Sequence, residues 1–134
     1  MNYIVFDLEW NQCPDGKEAG DPALPFEIIE IGAVKLDDSL QETGRFHRII
    51  RPAVYPTLNS HTREIVQMDE KKLKSGIPFP DAAREFLSFC GGDAMFCTWG
   101  PADLTELQRN LKYYGMLSLI RGPLHYYDVQ KLFA

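Results

Sequence analysis

The chain has 134 residues, of which 45% are hydrophobic and 12% aromatic. Because a chain of this length buries one core and has no room for two, we expect a single domain over residues 1–134. The net charge of −5 argues mildly against a protein that holds nucleic acid by bulk electrostatic attraction. No stretch approaches the ~20 apolar residues of a membrane span, and three cysteines without a close pair are typical of reduced thiols. The predicted location is cytoplasmic, without a membrane partner.

A short apolar run, Tyr3 to Trp10, predicts a buried strand that carries Asp7 and Glu9 near its end. Residues two apart in a strand project to the same side, roughly 7 Å apart along the chain, so both carboxylates face one place. Such a pair also occurs where a strand simply ends and its side chains reach water. If the pair is buried, a cation must neutralise it, and carboxylate oxygens suit Mg²⁺ or Mn²⁺ rather than zinc.

The next segments alternate between loop and strand. Residues 11–25 are polar and rich in turn-forming residues, which predicts a long loop beside the first strand. Residues 26–36 predict a long second strand, and residues 44–51 its hairpin partner. Glu30, within the second strand, is interpreted as a hydrogen-bonded or solvent-facing strand residue rather than as a ligand.

Helical patterns follow. Residues 60–68 predict a short helix with Ile65 and Val66 inward. A longer helix begins at Pro80 and is stopped by Gly91. Its apolar stripe has helical spacing and consists of Ala82, Ala83, Phe86, Leu87 and Cys90.

The last segments place a third carboxylate. Residues 94–99 predict a buried strand that runs directly into a helix opened by Pro101 and Asp103. Residues 125–127 predict a final strand, with Asp128 capping the helix after it.

The order of these elements predicts an α/β fold with a mixed sheet, in which three antiparallel strands are followed by strands that return through helical crossovers. The first and fourth strands then lie adjacent and parallel, so Asp103 stands beside Asp7 and Glu9 at their carboxyl ends, where ligands collect in α/β sheets. A helix dipole is by itself a sufficient reason for an aspartate at position 103. Only the convergence of three carboxylates favours a metal site.

Three segments together resemble a known family: residues 6–10 (FDLEW), 29–34 (IEIGAV) and 99–103 (WGPAD). They are similar to the DEDD, or DnaQ-like, exonucleases that remove nucleotides from a 3′ end, and most similar to the subgroup of the sporulation inhibitor KapD and the Eri-type RNA exonucleases. The resemblance covers nearly the whole chain. It implies a ribonuclease-H-like fold with a five-stranded sheet and flanking helices.

The resemblance also implies a function and its residues. Asp7, Glu9 and Asp103 match three of four family carboxylates, which hold two Mg²⁺ ions, or Mn²⁺, that span the scissile phosphate. Leu8 and Trp10 match positions that line the pocket for the terminal nucleotide, although Trp10 is equally consistent with a core aromatic. The implied partner is the 3′ end of a single-stranded nucleic acid, and the sequence does not decide between RNA and DNA.

The remaining family motif, His-x-x-x-x-Asp, is absent from the sequence. Five residues after His47, His61 and His125 stand Pro52, Val66 and Gln130, and no tyrosine after Trp99 has an aspartate four residues on.

The resemblance therefore implies a domain that is incomplete at its C-terminus, lacks the last helices of the family and is impaired as an enzyme. We expect an uncovered C-terminal face around Val129, Leu132 and Phe133 to be hidden by homo-oligomerisation.

Two other functions are compatible with the same fold. One is a non-catalytic regulatory or binding protein, which retention of Asp7, Glu9 and Asp103 disfavours. The other is an endonuclease or transposase core, against which the match of residues 99–103 argues.

Overall fold

The computed structural model describes residues 1–120 and 124–132. The strands are β1 (Asn2–Asn11), β2 (Glu27–Leu36), β3 (Glu42–Ile49), β4 (Ala94–Thr98) and β5 (Tyr126–Asp128). The helices are α1 (Ser60–Ile65), α2 (Glu70–Lys74), α3 (Phe79–Cys90), α4 (Ala102–Tyr113) and α5 (Val129–Leu132), with single 3₁₀ turns at Lys17–Ala19 and Leu117–Leu119.

The strands form one sheet in the order β3-β2-β1-β4-β5. The pairs β1–β2 and β2–β3 are antiparallel, whereas β1–β4 and β4–β5 are parallel. This arrangement confirms the predicted ribonuclease-H-like mixed sheet with flanking helices. Strand β1 is the central strand. Because β1 and β4 are parallel, the end of β1 that carries Asp7 and Glu9 lies beside the end at which β4 leads into α4.

The two faces of β1 differ in burial because alternate side chains point to opposite sides. Ile4, Phe6 and Leu8 are buried against α3 and α4 in the main core. The Phe6 ring contacts the rings of Phe86 on α3 and Phe96 on β4, each at a centroid distance of 5.7 Å. The intervening residues of β1 face the other side of the sheet, here called the open face, where Val5 is 43% exposed.

Helix α3 follows its predicted apolar stripe, and α4 also buries one apolar face. Along α3, Leu87 is half-buried while the other four stripe residues are buried. Gly91 ends the helix with a φ of 74°, a conformation that glycine adopts without strain. Along α4 the buried apolar positions are Leu104, Leu107 and Leu111.

The prediction of one helix over residues 60–68 is wrong in part. Helix α1 ends at Ile65 because Val66 is extended, with φ −94° and ψ 116°. Val66 is buried as predicted, but Ile65 is 60% exposed. A separate helix, α2, begins after Asp69, whose carboxylate accepts a hydrogen bond from the Lys72 N–H at 2.7 Å. Residues 66–68 are therefore not helical, and α2 is a second short helix that begins after its own cap.

Two buried polar residues hold the segment before α1 against the sheet. Glu27, which is 3% exposed, accepts hydrogen bonds from the backbone N–H groups of residues 53, 54 and 55 at 2.8 to 2.9 Å. Asn11 donates to the carbonyls of Tyr55 and Thr57 and accepts from the Asn59 N–H. These bonds fix the start of α1 beside the end of β1.

The C-terminal region is described as far as residue 132. The prediction that residues 125–127 form a strand is confirmed within one residue, and Asp128 accepts a hydrogen bond from the Gln130 N–H at 3.1 Å, as expected of a cap. Val129 is half-buried. The side chain of Leu132 and all of Phe133 lie outside the described residues, so self-association through this region stays a prediction. No helix of the described ranges is long and apolar enough to cross a membrane.

Candidate active site

The site is built on the open face at the carboxyl end of β1. Asp7 and Glu9 share this face, and the antiparallel register sets Gly32 of β2 opposite Asp7 and Glu30 opposite Glu9. A bulge between Glu9 and Trp10 then changes the register, and bulges re-aim the side chains that flank them. The Asp7 side chain is exposed, and that of Glu9 is half-buried.

Asp103 reaches the same place from the start of α4. Strand β4 pairs in parallel with β1 as far as Val5 and Cys97, and α4 follows one short turn later. The Asp103 side chain is only 8% exposed. Burial, and to a lesser extent the charge of Asp7, raise its pKa to about 6. A carboxylate placed only to favour a helix dipole would have its pKa lowered.

The pKa values of Asp7 and Glu9 are raised as well. Burial is the main cause for both. The charges of Asp7, Glu30 and Asp103 each raise the pKa of Glu9 further. The backbone N–H of Leu8 favours the charged forms of Asp7 and Asp103 and so opposes the increase in their pKa values. The structure therefore places Asp7, Glu9 and Asp103 within electrostatic reach of one another, as the sequence predicted.

The donor set suits Mg²⁺ or Mn²⁺ because it consists of carboxylate oxygens. As the side chains stand, no three His, Cys, Asp or Glu residues of the described part of the chain are arranged to hold a metal ion. Asp7 is exposed and free to change rotamer. The residues nevertheless fit a divalent cation in type, and Asp7, Glu9 and Asp103 are the side chains that would hold it.

Leu8 and Trp10 border a cavity beside these carboxylates, with a volume of about 280 Å³. Trp10 is half-buried, packs on the main core and meets the Phe26 ring at 5.8 Å, as expected of a core aromatic, while its role in nucleotide binding stays a prediction. The other wall of the cavity belongs to α1. The full lining is Leu8, Glu9, Trp10, Gln12, His61, Thr62, Ile65 and Val66.

Several residues of this region were missed by sequence reasoning. Ile65 was assigned to the core, yet it lines the cavity and is mostly exposed. Gln12 and His61 were given no role. All three lie at the cavity because hydrogen bonds of Asn11 and Glu27 hold the segment before α1 beside the end of β1. These contacts are long-range, so the spacing of residues in the sequence does not reveal them.

The model of the exonuclease family RNase_T matches residues 4–132. The chain belongs to this exonuclease family. Membership confirms the predicted DEDD, or DnaQ-like, superfamily, while the KapD and Eri-type subgroup stays a prediction. A search among curated proteins found no significant match.

Solved exonuclease structures share the fold of this family member. The nuclease domain of 3′hExo, a DEDDh family member bound to rAMP, superposes with a TM-score of 0.76 at 17% identity over 98% of this chain and 68% of that one. The cell-death related nuclease 4, CRN-4, gives 0.74 at 18% identity over 98% and 46%. Escherichia coli exonuclease I, in complex with an oligonucleotide, gives 0.71 at 14% identity over 98% and 29%. The chain thus spans about half the length of CRN-4 and less of exonuclease I.

Proposed function

We propose that this exonuclease-family chain hydrolyses phosphodiester bonds from the 3′ end of single-stranded RNA or DNA, by a two-metal mechanism with Mg²⁺ or Mn²⁺. The observation that carries the proposal is the meeting of Asp7, Glu9 and Asp103 at the carboxyl end of β1, in a chain matched by an exonuclease family model. The structures of 3′hExo with rAMP and of exonuclease I with an oligonucleotide support nucleic acid as the substrate class.

Each part of the site has a distinct task in this proposal. Asp7, Glu9 and Asp103 hold the cations. When bound, divalent cations activate water and stabilise charge on the phosphate and on the leaving oxygen. The cavity beside Leu8 and Trp10 receives the terminal nucleotide, because an aromatic wall next to an apolar one suits a base. Hydrolysis between the last two nucleotides releases a nucleoside 5′-monophosphate and leaves a new 3′ hydroxyl.

A second function is a nucleic-acid-binding or regulatory protein that turns over slowly or not at all. The three carboxylates favour catalysis over this alternative. Both functions need the same cavity, so binding alone does not separate them.

A single-stranded oligonucleotide labelled at its 5′ end tests the proposal. With Mn²⁺, we expect a ladder that shortens one nucleotide at a time from the 3′ end and disappears with Asp7→Asn. The Glu18→Gln variant, which removes one charge from an exposed loop residue, should leave the ladder unchanged. A full-length oligonucleotide that binds the parent chain and is never shortened would favour the regulatory alternative.

A further inference from the structure

A hydrogen-bonded pair on the open face lies outside the three carboxylates described above. His47 Nε2 and Glu30 Oε2 are 2.6 Å apart, across the antiparallel strands β3 and β2. The Glu30 side chain is 27% exposed and that of His47 is 59% exposed. The bond confirms the interpretation of Glu30 as a hydrogen-bonded strand residue and leaves its position beside the site to be explained.

The register places this pair in line with the site. Glu30 is directly opposite Glu9, and neighbouring strands are about 4.8 Å apart. His47 is opposite Gly32, which in turn is opposite Asp7. Gly32 has no side chain, and a Cβ atom added there would meet nothing within 4 Å. The space between Asp7 and His47 over the sheet is therefore open, with Glu30 at its edge.

Fold stability does not explain the position of Glu30. A hydrogen bond between two partly exposed side chains, such as His47–Glu30, contributes little to the stability of a fold. Against this gain, Glu30 lies directly opposite Glu9 and on the same face as Asp7, so that these three like charges repel one another. The arrangement becomes favourable when a cation is shared among them.

We propose that Glu30, oriented by His47, is a positioning residue that adds negative charge beside the cation site of Asp7 and Glu9. This inference rests on the proposed function and extends it to a fourth carboxylate. Glu30 acts from outside the ligand set, and His47 prevents it from turning away into solvent. Partners of this kind around a metal site typically account for 10- to 100-fold in metal affinity.

Calorimetric titration with Mn²⁺ at 0.15 M salt tests the proposal on the whole chain. We expect Glu30→Gln, which preserves the shape of the side chain, to weaken Mn²⁺ binding by about 10- to 100-fold. Glu42→Gln is the matched control, because Glu42 is also a glutamate of the sheet paired with a cation, Arg45. It lies far along β3 from the site and should change the affinity less than twofold, since salt screens distant charges.

Two further measurements separate positioning from a structural role. At saturating Mn²⁺, the electron paramagnetic resonance spectrum of the bound ion should differ between the parent and Glu30→Gln, while both unfold at the same temperature. If Glu30→Gln proves unstable, Mn²⁺ binding by His47→Gln tests the proposal instead. This variant keeps the Glu30 carboxylate and removes only the imidazole that orients it. An affinity loss of at least threefold is then expected, and parental affinity would overturn the proposal.

The Asp7→Ala variant distinguishes this inference from the function on which it rests. If Asp7→Ala abolishes binding and Glu30→Gln stays within twofold of the parent, the role of Glu30 is wrong and the carboxylate site stands. If Asp7→Ala binds Mn²⁺ as well as the parent, the site itself is misplaced and both proposals fail. An equal loss with Glu30→Gln and Glu42→Gln would reduce the effect to overall charge and also overturn the inference.

Discussion

The carboxyl group of Asp103, at the start of α4, lies close enough to the backbone N–H of Leu8 in β1 for this dipole to lower its pKa, against the larger effect of burial. This contact joins the crossover helix to the central strand between the two residues, Asp7 and Glu9, that carry the other carboxylates. The consequence is a cluster in which the most buried carboxyl group belongs to the element farthest along the chain.

Asp103→Asn should stabilise the metal-free protein at neutral pH. The pKa of Asp103 is raised to about 6 from an ordinary 3.8, so its contribution to stability is complete below pH ~4 and is lost as the pH rises through ~6. The asparagine variant has no such loss. With a chelator present, we expect it to gain about 1–3 kcal/mol over the parent between pH 4 and pH 7.5, measured by urea denaturation at each pH.

The pH dependence of the difference in unfolding free energy between Asp103→Asn and the parent can also contradict this prediction. If the difference between variant and parent is constant from pH 4 to pH 7.5, Asp103 titrates normally in the folded protein and is not buried beside other carboxylates. Asp81→Asn, at an exposed position of α3, is the control and should follow the parent at every pH.

The fold and the three carboxylates were predictable because their signals are local. Strand alternation places Asp7 with Glu9, and a strand that runs directly into a helix places Asp103 at the edge where β1 ends. The role of Ile65 and the pairing of Glu30 with His47 were not predictable in the same way. They depend on the bulge in β1, on the cap at Asp69 and on the register of β2 with β3, none of which follows from spacing alone.

Glu27→Gln should destabilise the fold. The Glu27 carboxylate accepts three backbone hydrogen bonds at a buried position. A glutamine in its place turns an NH₂ group toward at least one of these N–H donors. The NH₂ group and the backbone N–H that it faces are then both left without an acceptor. We expect a loss of about 2–3 kcal/mol, seen as a lower midpoint in urea denaturation. Glu64→Gln, at an exposed position of α1, should leave the midpoint unchanged, and equal midpoints for all three proteins would contradict the role of Glu27.

Ile65→Ser should weaken nucleotide binding without lowering stability. Ile65 is 60% exposed, so its replacement removes little buried apolar surface from the folded protein. Its side chain nevertheless lines the cavity that Trp10 also lines. Loss of one apolar contact with a base is worth ~1–2 kcal/mol, or about 5- to 30-fold in Kd. Fluorescence titration of Trp10 with nucleoside 5′-monophosphates measures this, and Leu119→Ser, 46% exposed and away from the cavity, serves as the control. Unchanged affinity in Ile65→Ser would place the nucleotide elsewhere.

The chain of 134 residues should be a slow nuclease. Its sequence has no His-x-x-x-x-Asp motif, and a missing general base costs about 10²- to 10⁴-fold in rate. We expect its turnover of a labelled single-stranded oligonucleotide to be lower by at least this factor than that of the 3′hExo nuclease domain under the same conditions. Comparable turnover would show that another group of this chain supplies the base.

Self-association through the open face is the remaining prediction. Exposed apolar and aromatic side chains gather there: Val5 is 43% exposed, and Trp99 of the β4–α4 turn is 61% exposed. Both line a cavity of about 390 Å³ that Val129 also borders.

Since monomers rarely leave a contiguous apolar patch beyond ~600 Å² in water, we expect light scattering to show a mass that rises with concentration. Val5→Asp should abolish the rise, because it places a charge in the contact, whereas Ile65→Asp, at a more exposed apolar position on α1, should not. A constant monomeric mass at high concentration, without binding of a hydrophobic dye, would show that this face needs no cover.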